Sequence, residues 1–220
     1  MKKNKFIYII IDNVKTLLYA LIIAVLLRSL FFQPFYIPSS SMEPTLLVGD
    51  RLFVSKYAYG YSKHSFPFSP PILNKRLFSK DPKRGDLVVF KTPSDNRTDY
   101  IKRLIGLPGD SIQFVNGDIF LNKKKIERKK IESNFIIRCG NMNLPVNTYL
   151  ETLPNGIKYK AVYSSIGTLK NSDEYIVPKD HFFLLGDNRD CSKDSRFLSD
   201  VGYVKKLNLV GKAKIIFFSN

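Results

Sequence analysis

A short segment near the N-terminus combines a run of serines with two prolines. Residues 37–50 read IPSSSMEPTLLVGD, so Pro38 and Pro44 flank three consecutive serines. Proline fixes φ and removes a backbone donor, which excludes a regular helix or a central strand here. The sequence predicts a stiff, irregular loop that holds small hydroxyl groups in fixed directions, as a serine nucleophile requires. A serine- and proline-rich linker is the alternative that this segment alone leaves open.

A serine nucleophile needs a base that accepts its proton. Histidine is the usual base, and His181 follows Asp180 just before a predicted strand. A lysine can do the same work when burial against apolar neighbours lowers its pKa by several units. Lys102 lies in the apolar segment YIKRLI, where period-two alternation places it on one face with Tyr100 and Leu104. Lys102 is therefore the candidate base and His181 the alternative base, while an ordinary outward lysine on an edge strand is the other interpretation of Lys102.

Other chemistries find little support in the chain. The two histidines, His64 and His181, lie far apart without an HExxH motif, so no metal site is predicted. No SxxK, KTG or GxSxG string occurs, which leaves the β-lactamase and α/β-hydrolase classes without their motifs. Cys139 and Cys191 lack CxxC spacing. They could pair outside the cytoplasm, although the sequence does not give their separation.

The serine segment and the lysine segment must be positioned by the elements around them. The first of these elements is an apolar run. Residues 16–36 carry only one charge, Arg28, and their length of about 21 residues suffices to cross a bilayer. A cleavable signal peptide is the alternative. The run ends with Gln33, Pro34, Phe35 and Tyr36, which are typical of an interfacial aromatic girdle. We therefore predict an uncleaved transmembrane anchor.

Charge around this run predicts its orientation. Basic residues precede it and an acid, Glu43, is the next charge after Arg28, so the N-terminus is expected in the cytoplasm and the rest outside. The preceding basic residues are Lys2, Lys3, Lys5 and Lys15. The whole chain of 220 residues carries a net charge of +16, which favours a negatively charged partner, either nucleic acid or anionic lipid.

Beyond residue 50 the pattern is that of strands. Short apolar runs are separated by turn signals, of which Asn116-Gly117 is the strongest hairpin signal. We predict a mostly β fold, with an N-terminal transmembrane helix followed by an all-β catalytic domain and an inserted β-rich lobe. The aromatic and basic residues 57–80 suit an anionic lipid interface or a disordered loop. The predicted divisions are 1–36 (N-terminus and anchor), 37–115 (first part of the core), 116–172 (inserted lobe) and 173–220 (second part of the core).

Four blocks together resemble the bacterial type I signal peptidases, the membrane-bound leader peptidases that remove signal sequences from exported proteins. They are residues 38–50, 84–90, 100–110 and 186–196, and with the preceding anchor they match that family in order and spacing. The blocks cover about a fifth of the chain. Two positions depart from the family pattern, since many relatives have asparagine at Cys191 and often glycine at Ser40.

The resemblance assigns roles to individual residues. It implies that Ser41 is the nucleophile and Lys102 the general base. It further implies that Ser39 joins the backbone N–H of Ser41 in the oxyanion hole, and that Ser192 hydrogen-bonds and orients the lysine amine. The positions expected to support the site through charge pairs and turns are Arg103, Asp187, Arg189, Asp194 and Arg196.

The resemblance also implies an activity and a location. The protein would be an endopeptidase that cuts preproteins after small residues, with no cofactor and no metal. It would sit in the bacterial inner membrane with a periplasmic catalytic domain, and its partners would be signal peptides and phospholipid, not nucleic acid. The alternative is a membrane-tethered basic binding module with inert serines, although no RNP-like string or basic recognition helix occurs. Self-cleaving repressors share a serine–lysine pair, but those are soluble and carry a DNA-binding helix pair.

Overall fold

The computed structural model describes residues 2–71, 73–165 and 169–219, which form one N-terminal helix and a β-rich body. The prediction of a mostly β fold behind a single apolar helix is confirmed. The helix, α1, spans Lys2–Leu30. The strands are β1 Phe32–Tyr36, β2 Arg51–Ser55, β3 Leu87–Lys91, β4 Asp99–Gly106, β5 Ser111–Val115, β6 Asp118–Leu121, β7 Lys124–Lys125, β8 Glu127–Cys139, β9 Met142–Thr152, β10 Lys158–Ser164, β11 Tyr175–Ile176, β12 His181–Leu185, β13 Val204–Lys205 and β14 Leu209–Phe218.

Helix α1 is long and apolar enough to cross a membrane over Ile7–Leu30, and this segment is not covered by the rest of the protein. The predicted apolar span ran to residue 36, and that boundary is wrong. The helix ends at Leu30, and Phe32–Tyr36 forms β1, which pairs antiparallel with β2. Pro34 explains the difference, because it disfavours helix in the residue before it and is tolerated in an edge strand.

The largest sheet holds seven strands in the order β1-β2-β14-β3-β4-β12-β13. Strand β4 lies inside this sheet, between β3 and β12, so Lys102 is not on an edge strand. Apolar residues of β3, β4 and β12 pack in one buried cluster that includes Phe90, Leu104 and Leu184. A second cluster joins Met42 of the serine loop to β2 and β14. Hydrophobic burial therefore holds the loop and β4 in one rigid body.

Two smaller sheets complete the body. One has the order β11-β5-β6-β7, and the other consists of β10, β9 and β8. The predicted hairpin at Asn116-Gly117 is confirmed, since it joins the antiparallel strands β5 and β6. Both turn residues have positive φ (51° and 79°), which is the backbone that the Asn-Gly pair favours. The long β8–β9 hairpin reaches back to the serine loop through its end at Cys139, as described below.

Candidate active site

The serine loop lies between β1 and β2 and is anchored at both ends. The N–H of Ile37 donates to the carbonyl of Asp50 at 2.9 Å, and Asp50 Oδ2 accepts from the N–H of Leu47 at 2.8 Å. Met42 and Leu46 are buried beneath it. Ser40–Met42 form a single 3₁₀ turn, so the segment is neither a helix nor a strand. This is the stiff irregular loop that the prolines predicted, and it is not a free linker.

The loop brings Ser41 into contact with Lys102 of β4. Lys102 Nζ donates to Ser41 Oγ at 2.5 Å, although the two residues are 61 positions apart. Both are buried, with 7% of Ser41 and 3% of Lys102 exposed. The lysine amine also lies 5.4 Å from the ring centroid of Tyr100, consistent with the predicted shared face. Burial therefore removes the amine from bulk water while leaving it one hydroxyl partner.

Burial lowers the pKa of Lys102 to about 8, because desolvation penalises its charged form. The negative charges of Asp194 and Asp187 oppose this shift, and Arg196 adds to it. The Lys102 amine therefore loses its proton at a much lower pH than an ordinary lysine, whose pKa is 10.5. In its neutral form the amine can accept a proton from the serine hydroxyl with which it shares a hydrogen bond.

Ser39 lies on the surface next to Ser41. Its hydroxyl lies 3.3 Å from Ser41 Oγ, and the residue is exposed. Beside the two serines opens a cleft of about 340 Å³. The cleft is lined by Phe35, Tyr36, Ile37, Pro38, Ser39, Ser41, Val89, Thr98, Asp99, Tyr100, Ile101, Lys102, Cys191 and Lys193. The reactive pair therefore borders a space that can accept an extended chain between β1 and β4.

Ser192 does not make the contact that was expected of it. Its buried hydroxyl has no hydrogen-bond partner among the described residues, so the predicted bond to Lys102 Nζ is absent from this structure. The lysine amine is directed to Ser41 instead, and Ser192 packs against Gly186. A Cβ added at Gly186 would lie 2.2 Å from Ser192 Oγ and 2.5 Å from the carbonyl oxygen of Ser41. The role of Gly186 was not predicted from the sequence. Because this residue has no side chain, Ser192 can pack close to the serine loop.

Two of the predicted supporting ion pairs lie directly behind the site. Arg103 Nη2 is 2.6 Å from Asp187 Oδ2, and Thr45 of the serine loop donates to the same oxygen at 2.5 Å. Arg196 Nε pairs with Asp194 Oδ1 at 2.8 Å. Burial alone would raise the pKa of the Asp194 carboxyl, but Arg196 holds it below its ordinary value. Asp194 and Asp187 both act on Lys102, since each raises the pKa of its amine against the effect of burial.

Arg189, the remaining predicted supporting residue, belongs to a network that sequence reasoning missed. Its guanidinium pairs with Glu151 of β9 at 2.7 Å, and it donates to the Tyr159 hydroxyl at 3.0 Å. Tyr163 also contacts both Arg189 and Glu151. The only sequence signal was an acid within a strand of alternating pattern. This network ties the three-stranded sheet to the segment after β12.

The segment after β12 is joined to the serine loop by two further contacts. Asn188 donates from its backbone N–H to the Ser41 carbonyl at 3.2 Å and from Nδ2 to the Ser40 carbonyl at 3.1 Å. Cys191 forms a disulfide with Cys139, with 5.7 Å between the Cα atoms. The structure thereby answers a question that the sequence left open. Cys191 lines the cleft, so the disulfide connects the end of the β8–β9 hairpin to the site.

The alternative base is wrong. His181 Nδ1 lies 2.7 Å from the carbonyl of Lys179, and the residue pairs with Lys205 at the far edge of the large sheet. It lines a separate surface cavity that does not include Ser41. Among the described residues, no group of three histidine, cysteine, aspartate or glutamate side chains could hold a metal ion.

The geometry of the site indicates a class of enzyme, and the comparison with known proteins then gives the family. A serine hydroxyl hydrogen-bonded to a buried lysine of lowered pKa, beside an open cleft, is an arrangement in which the serine can be activated as a nucleophile, as in a serine hydrolase. The family model described as "Signal peptidase, peptidase S26" matches residues 10–218, and the chain belongs to this family of serine endopeptidases. Together with the apolar helix α1, membership in this family indicates a membrane-anchored enzyme.

Two relatives from Rickettsia agree with this assignment. The chain is 42% identical to signal peptidase I of Rickettsia conorii over 210 residues, which cover 91% of this chain and 77% of that protein. It is 42% identical to signal peptidase I of Rickettsia canadensis over 214 residues, 93% and 78% of the two chains. A crystal structure of a signal peptidase I from Enterococcus faecalis matches with 24% identity and a TM-score of 0.37, over 61% of this chain and 98% of that one.

Proposed function

We propose that this protein cleaves N-terminal signal peptides from exported preproteins, with Ser41 as the nucleophile and Lys102 as the general base. The observation that carries the proposal is the 2.5 Å contact between Lys102 Nζ and Ser41 Oγ at the edge of the cleft. The family match and the similarity to two signal peptidase I enzymes support the substrate class.

The reaction proceeds through an acyl-enzyme. Neutral Lys102 accepts the hydroxyl proton while Ser41 Oγ attacks the scissile carbonyl, and the resulting ammonium protonates the leaving amine. Water then attacks the ester carbonyl, Lys102 takes the proton of that water, and Ser41 leaves with its proton restored. One lysine therefore serves as base and acid in both halves of the reaction.

The negative charge of the tetrahedral intermediate is stabilised by two donors on the serine loop. Ser39 Oγ lies 3.3 Å from the nucleophilic oxygen, and the backbone N–H of Ser41 is the second donor of this proposal. Donors of this type are worth about 3 to 4 kcal/mol each in other acyl-transfer enzymes. In this proposal the Ser192 side chain rotates toward the lysine amine and orients that amine through a hydrogen bond.

The apolar lining of the cleft supports the proposed preference for substrates with small residues near the cut. This lining includes Phe35, Ile37, Val89 and Ile101, which pack in one cluster. An extended peptide laid along this lining presents every second side chain to it, because successive side chains of a strand point in opposite directions. Small side chains near the cut then allow the scissile carbonyl to approach Ser41.

The anchor sets the location of this chemistry. Because β1 begins two residues after α1 ends, the cleft lies close to the end of the membrane-spanning segment. The basic flank of α1 favours a cytoplasmic N-terminus and a β-rich body on the periplasmic side of the inner membrane. Protease added to sealed inverted vesicles should leave the body intact, and its digestion there would contradict this orientation.

The peptidase proposal is tested with a preprotein in detergent micelles. Ser41→Ala and Lys102→Met each remove a reacting group, so both variants should lose processing by at least about a thousandfold. Ser199→Ala and Lys158→Met are matched controls at exposed positions and should retain activity. Circular dichroism would establish that the variants are folded. Processing at the original rate by either site variant refutes the assigned roles.

A further inference from the structure

A second cavity, of about 370 Å³, lies at the end of α1 and has no role in the proposed chemistry. We refer to it as the basic pocket. Its lining shares only Asp99 with the catalytic cleft. The basic pocket is lined by Arg28, Gln33, Lys56, His64, Phe66, Pro67, Phe68, Ser69, Lys91, Asn96, Arg97, Asp99 and Val210.

The lining carries an excess of positive charge. Four basic residues, Arg28, Lys56, Lys91 and Arg97, face one acid, Asp99. That acid is already paired with Lys91 at 2.9 Å. In the part of the chain that the structure describes, none of the ion pairs involves the other three cations. Three uncompensated cations around one cavity favour an anionic ligand.

Lys56 lies at the bottom of this charge cluster. It is only 2% exposed, and its ammonium has one protein acceptor, the Ser65 carbonyl at 2.5 Å. An ammonium has three donors, so two remain for a ligand. Burial lowers the pKa of Lys56 to about 8, and the charge of Arg28 adds to this effect. A bound anion would offset both the burial of the Lys56 ammonium and its repulsion by Arg28.

His64 supplies a second unsatisfied donor. It is 4% exposed, and its Nδ1 lies 3.0 Å from Ser69 Oγ. Its Nε2 is buried and has no hydrogen-bond partner among the residues described. Burial, followed by the charge of Lys63, lowers the pKa of His64 to about 4, so the ring is neutral. In the tautomer in which the Ser69 hydroxyl donates to Nδ1, the ring proton lies on Nε2 and can be donated to an anionic oxygen.

The position of the basic pocket identifies the source of that anion. Arg28 lies in the last turn of α1, and the Tyr61 hydroxyl donates to the carbonyl of Leu30, the last helical residue, at 2.9 Å. Lys56 N–H donates to the Phe31 carbonyl at 3.0 Å. The pocket is therefore fixed at the end of the apolar span, at the depth of lipid headgroups. Phe68 on its rim is fully exposed, as suits an aromatic residue at a membrane interface.

From this geometry we infer that the basic pocket binds the phosphate group of an anionic phospholipid headgroup. The phosphodiester oxygens accept from the Lys56 ammonium, from His64 Nε2 and from the guanidinium groups of Arg28 and Arg97. The acyl chains then lie along α1 and beside Phe68. This site is separate from the peptidase proposal, because none of its cations is among the reacting groups.

The test uses the full chain in nanodiscs that contain phosphatidylcholine with a minority of phosphatidylglycerol. Native mass spectrometry counts the lipids that stay bound on release from the disc. Arg28→Gln combined with Arg97→Gln removes two exposed cations of the pocket, so folding is not at risk. The matched control combines Arg138→Gln with Lys160→Gln, which removes the same charge from the three-stranded sheet.

The inferred site predicts one tightly held phosphatidylglycerol in the wild type and in the control. Its retention in the pocket variant should fall by about tenfold or more, because basic residues near the membrane surface each contribute to binding anionic lipid. Equal retention by all three proteins overturns the inference. Displacement of the lipid by millimolar inorganic phosphate also overturns it, since the pocket would then take free phosphate and not a headgroup. Preprotein cleavage is measured separately and does not bear on either outcome.

Discussion

Arg103 and Asp187 form a buried, two-point ion pair next to Lys102. Arg103 Nε donates to Asp187 Oδ1 at 2.8 Å and Nη2 to Oδ2 at 2.6 Å, and neither side chain is appreciably exposed. Arg103 follows Lys102 on β4, whereas Asp187 lies just after β12. The pair therefore fixes the strand that carries Lys102 to the segment that carries Ser192.

Removing one member of this pair should be costly. Asp187→Asn keeps the shape but leaves the Arg103 guanidinium buried without a counter-charge, a change that costs about 3 to 5 kcal/mol in other proteins. We expect a loss of that order in the free energy of unfolding, measured with urea in detergent. Asp200→Asn is the matched control, because the exposed Lys193–Asp200 pair should contribute at most about 1 kcal/mol. Equal shifts for the two variants would contradict the supporting role of Asp187.

Residues with distinctive local chemistry were predictable from the sequence. Ser41 lies in a segment that proline keeps irregular, and Lys102 is a charge inside an apolar strand. Each feature can be seen within ten residues, and the Asn116-Gly117 hairpin is of the same kind. Alternation also gave the strand-rich fold, because period two is a property of the strand itself.

Features that depend on distant partners were not predictable. Glu151 looked like any acid in a strand until the fold placed it against Arg189, and Gly186 showed no need for a bare Cα until Ser192 packed upon it. The pairing of Cys139 with Cys191 likewise depends on where the β8–β9 hairpin ends. The misplaced end of α1 has a mixed cause. Pro34 is visible in the sequence and disfavours helix before it, whereas the pairing of β1 with β2 depends on the fold.

The disulfide between Cys139 and Cys191 should stabilise both the fold and the cleft. It closes a loop with a sequence separation of 52, for which chain entropy alone corresponds to about 4 kcal/mol. Reductant should therefore lower the melting temperature of the wild type and slow cleavage, because Cys191 lines the cleft beside Ser41. Calorimetry with and without reductant measures the first effect.

The control for this prediction is Cys139→Ser combined with Cys191→Ser. This variant should melt at the temperature of the reduced wild type and should not respond to reductant. A wild-type melting temperature that reductant leaves unchanged would show that the cross-link does not contribute to stability.

Gly186→Ala should damage the site without removing any reacting group. The new methyl would lie 2.2 Å from Ser192 Oγ and 2.5 Å from the Ser41 carbonyl oxygen, well inside van der Waals contact. The serine loop or Ser192 must move, and a displacement of about 1 Å at a reactive group can cost a hundredfold in rate. We expect a fall in kcat of about that size in a preprotein cleavage assay.

A matched comparison for Gly186→Ala is Ser192→Gly with and without the alanine. Replacing Ser192 removes the nearest contact but also removes the hydroxyl with the proposed orienting role, so the double variant is compared with Ser192→Gly alone. The alanine should slow the Ser192→Gly enzyme less than it slows the wild type, because only the contact with the Ser41 carbonyl remains. Full activity of Gly186→Ala alone would mean that the close packing has no bearing on catalysis.

The pH dependence of cleavage tests the lysine base most directly. In the proposed mechanism, attack by Ser41 requires neutral Lys102, so the reactive fraction of the enzyme increases as pH rises through the pKa of the amine, which burial lowers to about 8. We expect kcat/KM to rise tenfold per pH unit on the acidic side and to level off above about pH 8, not near the ordinary lysine value of 10.5. Lys56 is the necessary control, because burial lowers the pKa of this lysine to about 8 as well. Lys56→Met should keep the midpoint of the profile where it is in the wild type, since Lys56 lies outside the cleft. A midpoint that moves with Lys56→Met, or a wild-type rate still rising at pH 10, would exclude Lys102 as the group whose proton loss limits the reaction.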